Sequence, residues 1–134
     1  MHGRPPGPIT PTAASFKNAR FHLRLGYALS GIATVFRRER SFRTQCLFAF
    51  ARVGAVAALR VSPLWAAVVA LSIAVVLALE MANAALEYLI NCVHPEVAAE
   101  IGRAKDAAAG AVLIGSLASL VVAGLLIADW SGSA

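Results

Sequence analysis

The chain has 134 residues, and 59% of them are hydrophobic, whereas soluble domains are usually about 45–50% apolar. The excess lies in long uncharged blocks, which excludes an ordinary soluble domain. The net charge is +5, and eight of the twelve Lys and Arg residues fall in the first 45 positions. Beside membrane spans, such a basic flank indicates attraction to anionic headgroups on the cytoplasmic side, so no nucleic acid partner is predicted.

The N-terminal region is predicted to contain a tail and a surface helix. Residues 1–14 carry four prolines and two glycines, a composition typical of a disordered tail. A helix is predicted over about residues 15–38, with Ser15 as its cap. Its basic stripe consists of Lys17, Arg20 and Arg24, and its apolar stripe of Phe16, Leu23 and Tyr27. An amphipathic helix of this kind suits the membrane interface, and a solvated helix is the alternative.

The first membrane span is predicted over about residues 42–59, although Arg43 and Arg52 interrupt it. Arg43 is near enough to the helix end to extend its charge to the interface. Arg52 is near the middle, where insertion of a charge costs roughly 2.5–3.5 kcal/mol. We therefore expect Arg52 to face protein or water, or the helix to shift in depth.

The second span is predicted over about residues 63–90, after a turn at Ser62-Pro63. It includes most of an uncharged block of nineteen residues, Val61–Leu79. A helix of this length measures ~40 Å, whereas the hydrocarbon core is ~30 Å thick. The part from Glu80 onward should therefore reach the polar interface.

The third span is predicted over about residues 105–130, after a loop from Asn91 to Ile101. It contains twenty-two uncharged residues, Ala107–Ala128. Three spans after a basic start place the N-terminus and this loop on the cytoplasmic side and the C-terminus outside. The predicted fold class is all-α, an integral membrane protein with three transmembrane helices and an N-terminal surface helix.

Two carboxylates and an amide form a polar stripe at the end of the second span. On a helix, Glu80 and Glu87 lie about 20° apart around the axis and ~10 Å apart along it, with Asn83 about 60° to one side. That separation is too large for both acids to bind one hard cation at ~2.1 Å. Glu80 could accept a proton from a lipid hydroxyl, Glu87 could hold magnesium, and Asn83 could orient either ligand. The alternative is a polar seam that locks helices together.

Charged residues at two other places lie at the same predicted membrane face. Lys105 and Asp106 stand at the start of the third span, where a lysine suits phosphate oxygens and an acid can fix it or help to hold metal. Ordinary interfacial charges are the alternative. Glu39 lies among four arginines, where a salt-bridged neighbour is the alternative. The sequence contains no phosphate-binding glycine loop, so a nucleotide site would have to be assembled from helix faces.

Together these segments resemble the prokaryotic diacylglycerol kinase family, which includes undecaprenol kinases. The family's Glu-x-x-Asn-x-Ala-x-Glu stretch corresponds to Glu80 through Glu87, and its Ala-Lys-Asp motif to Ala104-Lys105-Asp106. The segment from Glu39 to Arg43 is similar to the family's acidic segment before the first span. The resemblance covers roughly residues 16–130.

The resemblance implies an ATP- and Mg²⁺-dependent lipid kinase of the bacterial inner membrane, with its active site on the cytoplasmic side. It also implies a homotrimer with sites shared between subunits. By analogy, Glu80 is the catalytic base, and Glu39 and Glu87 are the metal ligands. The positions that match nucleotide and phosphate binding are Asn83, Lys105 and Asp106, together with Arg20, Tyr27 and Gly31 of the covering helix.

The sequence differs from the family pattern at two positions and is compatible with two lipid substrates. Asn91 stands where the family commonly has an aspartate, and Gln45 where some members have an acid, which affects the outer shell of the nucleotide pocket. The lipid substrate is either diacylglycerol or undecaprenol, because apolar contacts along the spans discriminate poorly. A non-enzymatic membrane scaffold or holin-like protein is the rival class, which explains the spans but not the polar stripe.

Overall fold

The computed structural model describes residues 21–93 and 98–133, and this part of the chain is helical apart from short connections. The four helices are α1 (Phe21–Arg38), α2 (Arg40–Leu59), α3 (Pro63–Val93) and α4 (Ala99–Ser133). The last three are long and apolar enough to cross a membrane. The predicted all-α class with three spans is therefore confirmed, whereas the predicted tail, Ser15 and Arg20 lie outside the described residues.

The chain divides into two compact units between Thr34 and Val35, within α1. In the first unit, the hydroxyl of Thr34 donates to the carbonyl of Ser30 at 2.9 Å, a bond within one helix. The second unit contains α2, α3 and α4 and all the contacts that follow. The placement of α1 on a membrane surface stays a prediction.

The break between α1 and α2 falls at Glu39, whose backbone is extended at φ −97° and ψ 116°. Arg43 closes this junction, because its guanidinium donates to the carbonyls of Phe36 and Arg37 at 3.3 and 3.0 Å. The last carbonyls of a helix have no partner within it, so these bonds satisfy the end of α1. Arg43 is thus accommodated by capping a helix, which the sequence did not reveal.

The turn between α2 and α3 has the residues that its geometry requires. Arg60 adopts the left-handed conformation at φ 51°, and ends α2. The hydroxyl of Ser62 accepts a hydrogen bond from the backbone N–H of Trp65 at 3.4 Å, in the manner of an N-cap. Pro63 is the first residue of α3, where its missing N–H costs nothing.

The connection between α3 and α4 is shorter than the loop predicted over Asn91–Ile101. Helix α3 continues through Val93, and α4 is already helical from Ala99. The reason is local: Asn91 to Val93 and Ala99 to Ile101 contain no proline that would break a helix, and the sequence between the helices contains Pro95. The two helices therefore extend beyond the predicted spans at this end.

Helix α3 packs against both α2 and α4. Its buried residues recur along one side of the helix and are Val69, Val76, Glu80 and Ala84. Gly115 allows α4 to approach closely, because a Cβ at this position would lie 2.7 Å from Cδ1 of Leu79. Large apolar side chains such as Leu71 and Ile114 remain exposed, as expected for surfaces that face lipid.

Arg52 faces protein, which is one of the alternatives that the sequence left open. Its Nη1 donates to the hydroxyl of Ser119 on α4 and, at 3.4 Å, to that of Ser72 on α3. Its Nε is buried without a hydrogen-bond partner among the described residues. Gln45, one of the two departures from the family pattern, forms a second bridge by donating to Ser116 at 3.1 Å.

These bridges cross a largely apolar cleft of about 450 Å³ between α2 and α4. The cleft extends along α2 from Gln45 to Leu59, and Val69 of α3 is part of its lining. Gln45 therefore lies in a wall between spans. Polar side chains thus link α2 and α4 here, and Arg52 also reaches Ser72 of α3.

Candidate functional site

Glu80 is a buried carboxylate, with 5% of its surface exposed. It lies on α3 where the apolar run ends, and Oε2 accepts a hydrogen bond from the hydroxyl of Ser41 at 2.9 Å. Ser41 belongs to the first turn of α2. A buried carboxylate needs such a donor, because loss of hydration would otherwise be uncompensated.

Asn83 is one helical turn beyond Glu80, and its Oδ1 is buried with no hydrogen-bond partner in the described part of the chain. Buried polar atoms are nearly always paired, so an unpaired amide oxygen calls for a donor or a cation from elsewhere. Amide oxygens are also suitable ligands for hard cations. Asn83 therefore fits a ligand-binding position better than a closed polar seam.

Glu39 reaches the turn of α3 that carries Glu87. Its Oε1 accepts a hydrogen bond from the hydroxyl of Tyr88 at 2.7 Å, while its side chain makes no capping bond to α2. Both acids are half-buried. The structure thus brings the acid before the first span and the last acid of the stripe to the same end of α3.

Lys105 lies near the beginning of α4, and its ammonium donates to Oδ1 of Asn91 at 2.9 Å. Because this partner is a neutral amide, the hydrogen bond positions the ammonium without neutralising its charge. The following residue, Asp106, is exposed. The predicted phosphate-binding lysine is therefore held against α3, one helical turn beyond Glu87.

These three hydrogen bonds follow α3 in order and define one polar end of the bundle. Glu80, Glu87 and Asn91 lie within about 40° around the helix and span ~16 Å along its axis. The start of α2 contributes Ser41, the residue before α2 is Glu39, and α4 contributes Lys105. A carboxylate, an amide oxygen and a cation are the groups that phosphoryl transfer uses for positioning and charge stabilisation.

The predicted nucleotide-covering residues fall in the N-terminal part of the chain. Arg20 lies outside the described residues. Tyr27 and Gly31 lie on α1 in the first unit, one turn apart on the same face of the helix. Their role stays a prediction.

The side chains that could bind a metal ion are relevant to the predicted magnesium site. Among the described residues, no group of three or more His, Cys, Asp or Glu side chains is close enough to hold a metal ion. Magnesium is commonly held by one or two carboxylates together with substrate phosphates and water, so a dedicated cage is not required. Glu39, Glu87 and the unpaired oxygen of Asn83 are oxygen donors of the right kind.

Sequence reasoning missed Ser41 and Tyr88. A tyrosine in an apolar helix needs a partner for its hydroxyl, and this rule together with the adjacent Glu87 was the available signal. The sequence contains less indication that Ser41 belongs to the site, because its hydrogen bond to Glu80 joins residues that are 39 positions apart. The packing of α2 on α3 had to be known first.

The fold and the site together define a class of protein. It is a membrane-spanning helical bundle that has a buried carboxylate and an ammonium at one polar end. The sequence profile described as prokaryotic diacylglycerol kinase matches residues 26–127, a range that contains every candidate residue except Arg20. The chain belongs to the prokaryotic diacylglycerol kinase family.

A relative from Synechocystis sp., named "Diacylglycerol kinase", is 34% identical over 102 residues. The similarity covers 75% of this chain and 58% of that relative. The chain thus matches little more than half of the relative's length.

Proposed function

We propose that the chain is a lipid kinase that transfers the γ-phosphate of ATP to the hydroxyl of a membrane lipid. The acceptor is diacylglycerol, giving phosphatidic acid, or undecaprenol, giving undecaprenyl phosphate. Glu80 carries the proposal, because it is a carboxylate with 5% exposure at the polar end of a helix long enough to span the membrane. Membership of the family supports the same reaction.

Glu80 is the proposed general base. A base must come within hydrogen-bond reach of the proton that it removes, and a carboxylate at the inner end of an apolar bundle lies near the depth of a lipid hydroxyl. Asn83, one turn away, presents an unpaired acceptor to the same region. A scaffold or holin-like protein would have no need for a buried acid beside an unpaired amide oxygen.

Glu39 and Glu87 are the proposed magnesium ligands, and Asn83 is suited to bind the ion or one of its waters. When bound, the ion would neutralise charge on the phosphate oxygens. Tyr88 holds one oxygen of Glu39 and so limits the orientations of that carboxylate. Lys105 and Asp106 bind and orient the phosphates of ATP, and Arg20, Tyr27 and Gly31 cover the nucleotide.

The chain is proposed to act as a homotrimer in the bacterial inner membrane, with its sites facing the cytoplasm. One subunit offers little wall around the polar end, and cyclic symmetry is the usual arrangement for identical subunits. Gly110 and Gly124 support close contact between copies, because a Cβ at either position would meet nothing within 4 Å. The space beside Gly115 is already filled by Leu79 of the same chain.

Complementation tests the shared site. Inactive Glu80→Gln chains mixed with inactive Lys105→Leu chains should recover part of the activity if these residues serve one site from different subunits. A fully active monomer in detergent would refute sharing.

Phosphate transfer from labelled ATP to diacylglycerol and to undecaprenol, measured side by side in detergent micelles, tests the function. We expect Mg²⁺-dependent labelling of one lipid well above the other. A folded chain that labels neither lipid would favour the scaffold class instead.

A further inference from the structure

Ser41 donates a hydrogen bond directly to the proposed base, Glu80. The proposed reaction gives this hydrogen bond no role. Its hydroxyl donates to Oε2 of Glu80 at 2.9 Å, across the contact between α2 and α3. The other oxygen, Oε1, accepts no hydrogen bond from the described part of the chain. The two oxygens of the carboxylate are therefore distinguished, one held by the protein and one left for another partner.

This distinction affects how the base can work. A glutamate side chain has three rotatable bonds, and a hydrogen bond to one oxygen restricts where the other oxygen points. A base acts efficiently only when its acceptor atom is held close to the proton, and small displacements cost much of the rate. A donor on Oε2 would therefore increase the fraction of time that Oε1 is in position.

The surroundings of Ser41 make its position well defined. The next residue, Phe42, is 4% exposed and packs in a cluster with Val35 and Ala84 of the same unit. Ala84 lies one turn beyond Glu80 on α3. The bond from Tyr88 to Glu39 crosses the same contact in the opposite direction. The packing of Phe42 and the bond from Tyr88 to Glu39 thus hold the segment around Ser41 against α3.

We propose that Ser41 is a positioning residue that holds Oε2 of Glu80 so that Oε1 accepts the proton of the lipid hydroxyl. This inference rests on the proposed lipid kinase function. In the step, the lipid O–H bond breaks and its proton moves to Oε1. The lipid oxygen bonds to the γ-phosphorus of ATP, and the bond from that phosphorus to the bridging oxygen breaks, with the electron pair leaving on ADP.

A merely structural role for Ser41 would have a different signature. A hydrogen bond that only ties α2 to α3 would affect the stability of the bundle, and removing it would change activity only through the amount of folded protein. A positioning role predicts a lower kcat in a fully folded protein, with the KM for ATP unchanged. The proposed ATP-binding residue Lys105 lies more than two turns farther along the bundle, where it is bonded to Asn91.

Four variants separate these roles. Ser41→Ala removes the hydroxyl, Ser41→Cys keeps the size of the side chain but is a weak donor, and Ser41→Thr keeps the hydroxyl. Thr44→Val is the matched control, because Thr44 lies one turn later on α2 and its hydroxyl donates only to the carbonyl of Arg40. Ser41 itself is exposed apart from this contact, so its substitution leaves the packed cluster intact.

Steady-state kinetics in lipid micelles, with thermal unfolding of each variant, give the result. We expect kcat of Ser41→Ala and Ser41→Cys to fall about 10- to 100-fold, the range that corresponds to a hydrogen bond to a charged acceptor. Ser41→Thr should restore most of the rate, and Thr44→Val should match the wild type. Folded Ser41→Ala and Ser41→Cys proteins with wild-type kcat would overturn the proposal, and so would a Ser41→Thr protein as slow as Ser41→Ala.

The dependence on Glu80 is tested in the Glu80→Gln background. If Ser41 acts through Glu80, adding Ser41→Ala to Glu80→Gln should lower the residual rate less than two-fold. A further 10-fold loss would show that Ser41 acts by another route and would overturn the proposal. An inactive wild type would instead refute the lipid kinase function itself, so the two failures are distinguishable.

Discussion

The hydroxyl of Tyr88 lies 2.7 Å from Oε1 of Glu39, and this bond joins the residue before α2 to the C-terminal part of α3. Glu39 occupies the N-cap position of α2 but makes no capping bond with its side chain. Its carboxylate is instead directed toward the residue that follows Glu87. The contact therefore places one proposed metal ligand, Glu39, against the residue next to the other, Glu87.

Tyr88→Phe tests that link. The ring and its packing are kept, while the donor that orients Glu39 is lost. Groups that orient metal ligands typically contribute about 10- to 100-fold in metal affinity. We expect the Mg²⁺ concentration for half-maximal activity to rise about 10-fold, with little change in stability. Trp130→Phe, a change of an exposed aromatic residue on α4, is the control, and an unchanged Mg²⁺ requirement in Tyr88→Phe would contradict the link.

Removal of Glu87 tests the metal site more directly. Glu87→Ala should raise the Mg²⁺ requirement strongly or abolish activity, because a carboxylate ligand of the ion is lost. Manganese should replace magnesium in the wild type, and zinc should not be required. Phosphate transfer is measured as a function of each free ion concentration. Full wild-type activity in excess chelator would show that this assignment is wrong.

The number and type of the helices could be predicted from sequence, since uncharged blocks of nineteen and twenty-two residues have few alternative structures. The polar stripe of α3 could also be predicted, because Glu80, Asn83 and Glu87 recur at helical spacing. Ser41 and Tyr88 could not, since their bonds connect residues 39 and 49 positions apart. Helical periodicity places residues around one helix and contains no information on the register between two.

Arg52 illustrates the same limit in the middle of the bundle. The sequence left protein, water and a shift of the helix in depth as alternatives, and Ser119 and Ser72 as its partners follow only from the packing of three helices. No acid of the described residues forms a salt bridge with it. Its charge is therefore held by hydroxyl groups alone.

The two sides of this bridge should respond differently to substitution. Arg52→Leu removes the charge and fills the space with an apolar side chain, so we expect stability to be unchanged or higher, as for other buried charges. Ser119→Ala leaves the guanidinium with one acceptor fewer and should cost about 1–3 kcal/mol. Reversible unfolding in mixed micelles measures both. A larger loss in Arg52→Leu than in Ser119→Ala would contradict this expectation.

Gly115 and Gly110 provide a matched pair on α4. A Cβ at Gly115 would lie 2.7 Å from Leu79, whereas one at Gly110 would meet nothing within 4 Å. Glycine to alanine within a helix generally stabilises by about 0.5–1 kcal/mol. We expect that gain for Gly110→Ala, and a loss for Gly115→Ala because Leu79 must move. Equal unfolding free energies for the two variants would show that α3 and α4 are not in close contact at this point. A loss in Gly110→Ala alone would place a neighbouring subunit against Gly110.

Glu80→Gln gives the most direct test of the assignment of Glu80 as the general base of a lipid kinase, with transfer to lipid and binding of ATP measured on the same purified protein. Removal of a general base typically costs on the order of 10²–10⁴-fold in rate. Glu100→Gln is the control, since Glu100 is an exposed acid paired with Arg103 on α4. We predict a loss of that size in Glu80→Gln with ATP binding largely retained, and wild-type turnover in Glu100→Gln. A folded Glu80→Gln protein with near-normal turnover would contradict the assignment.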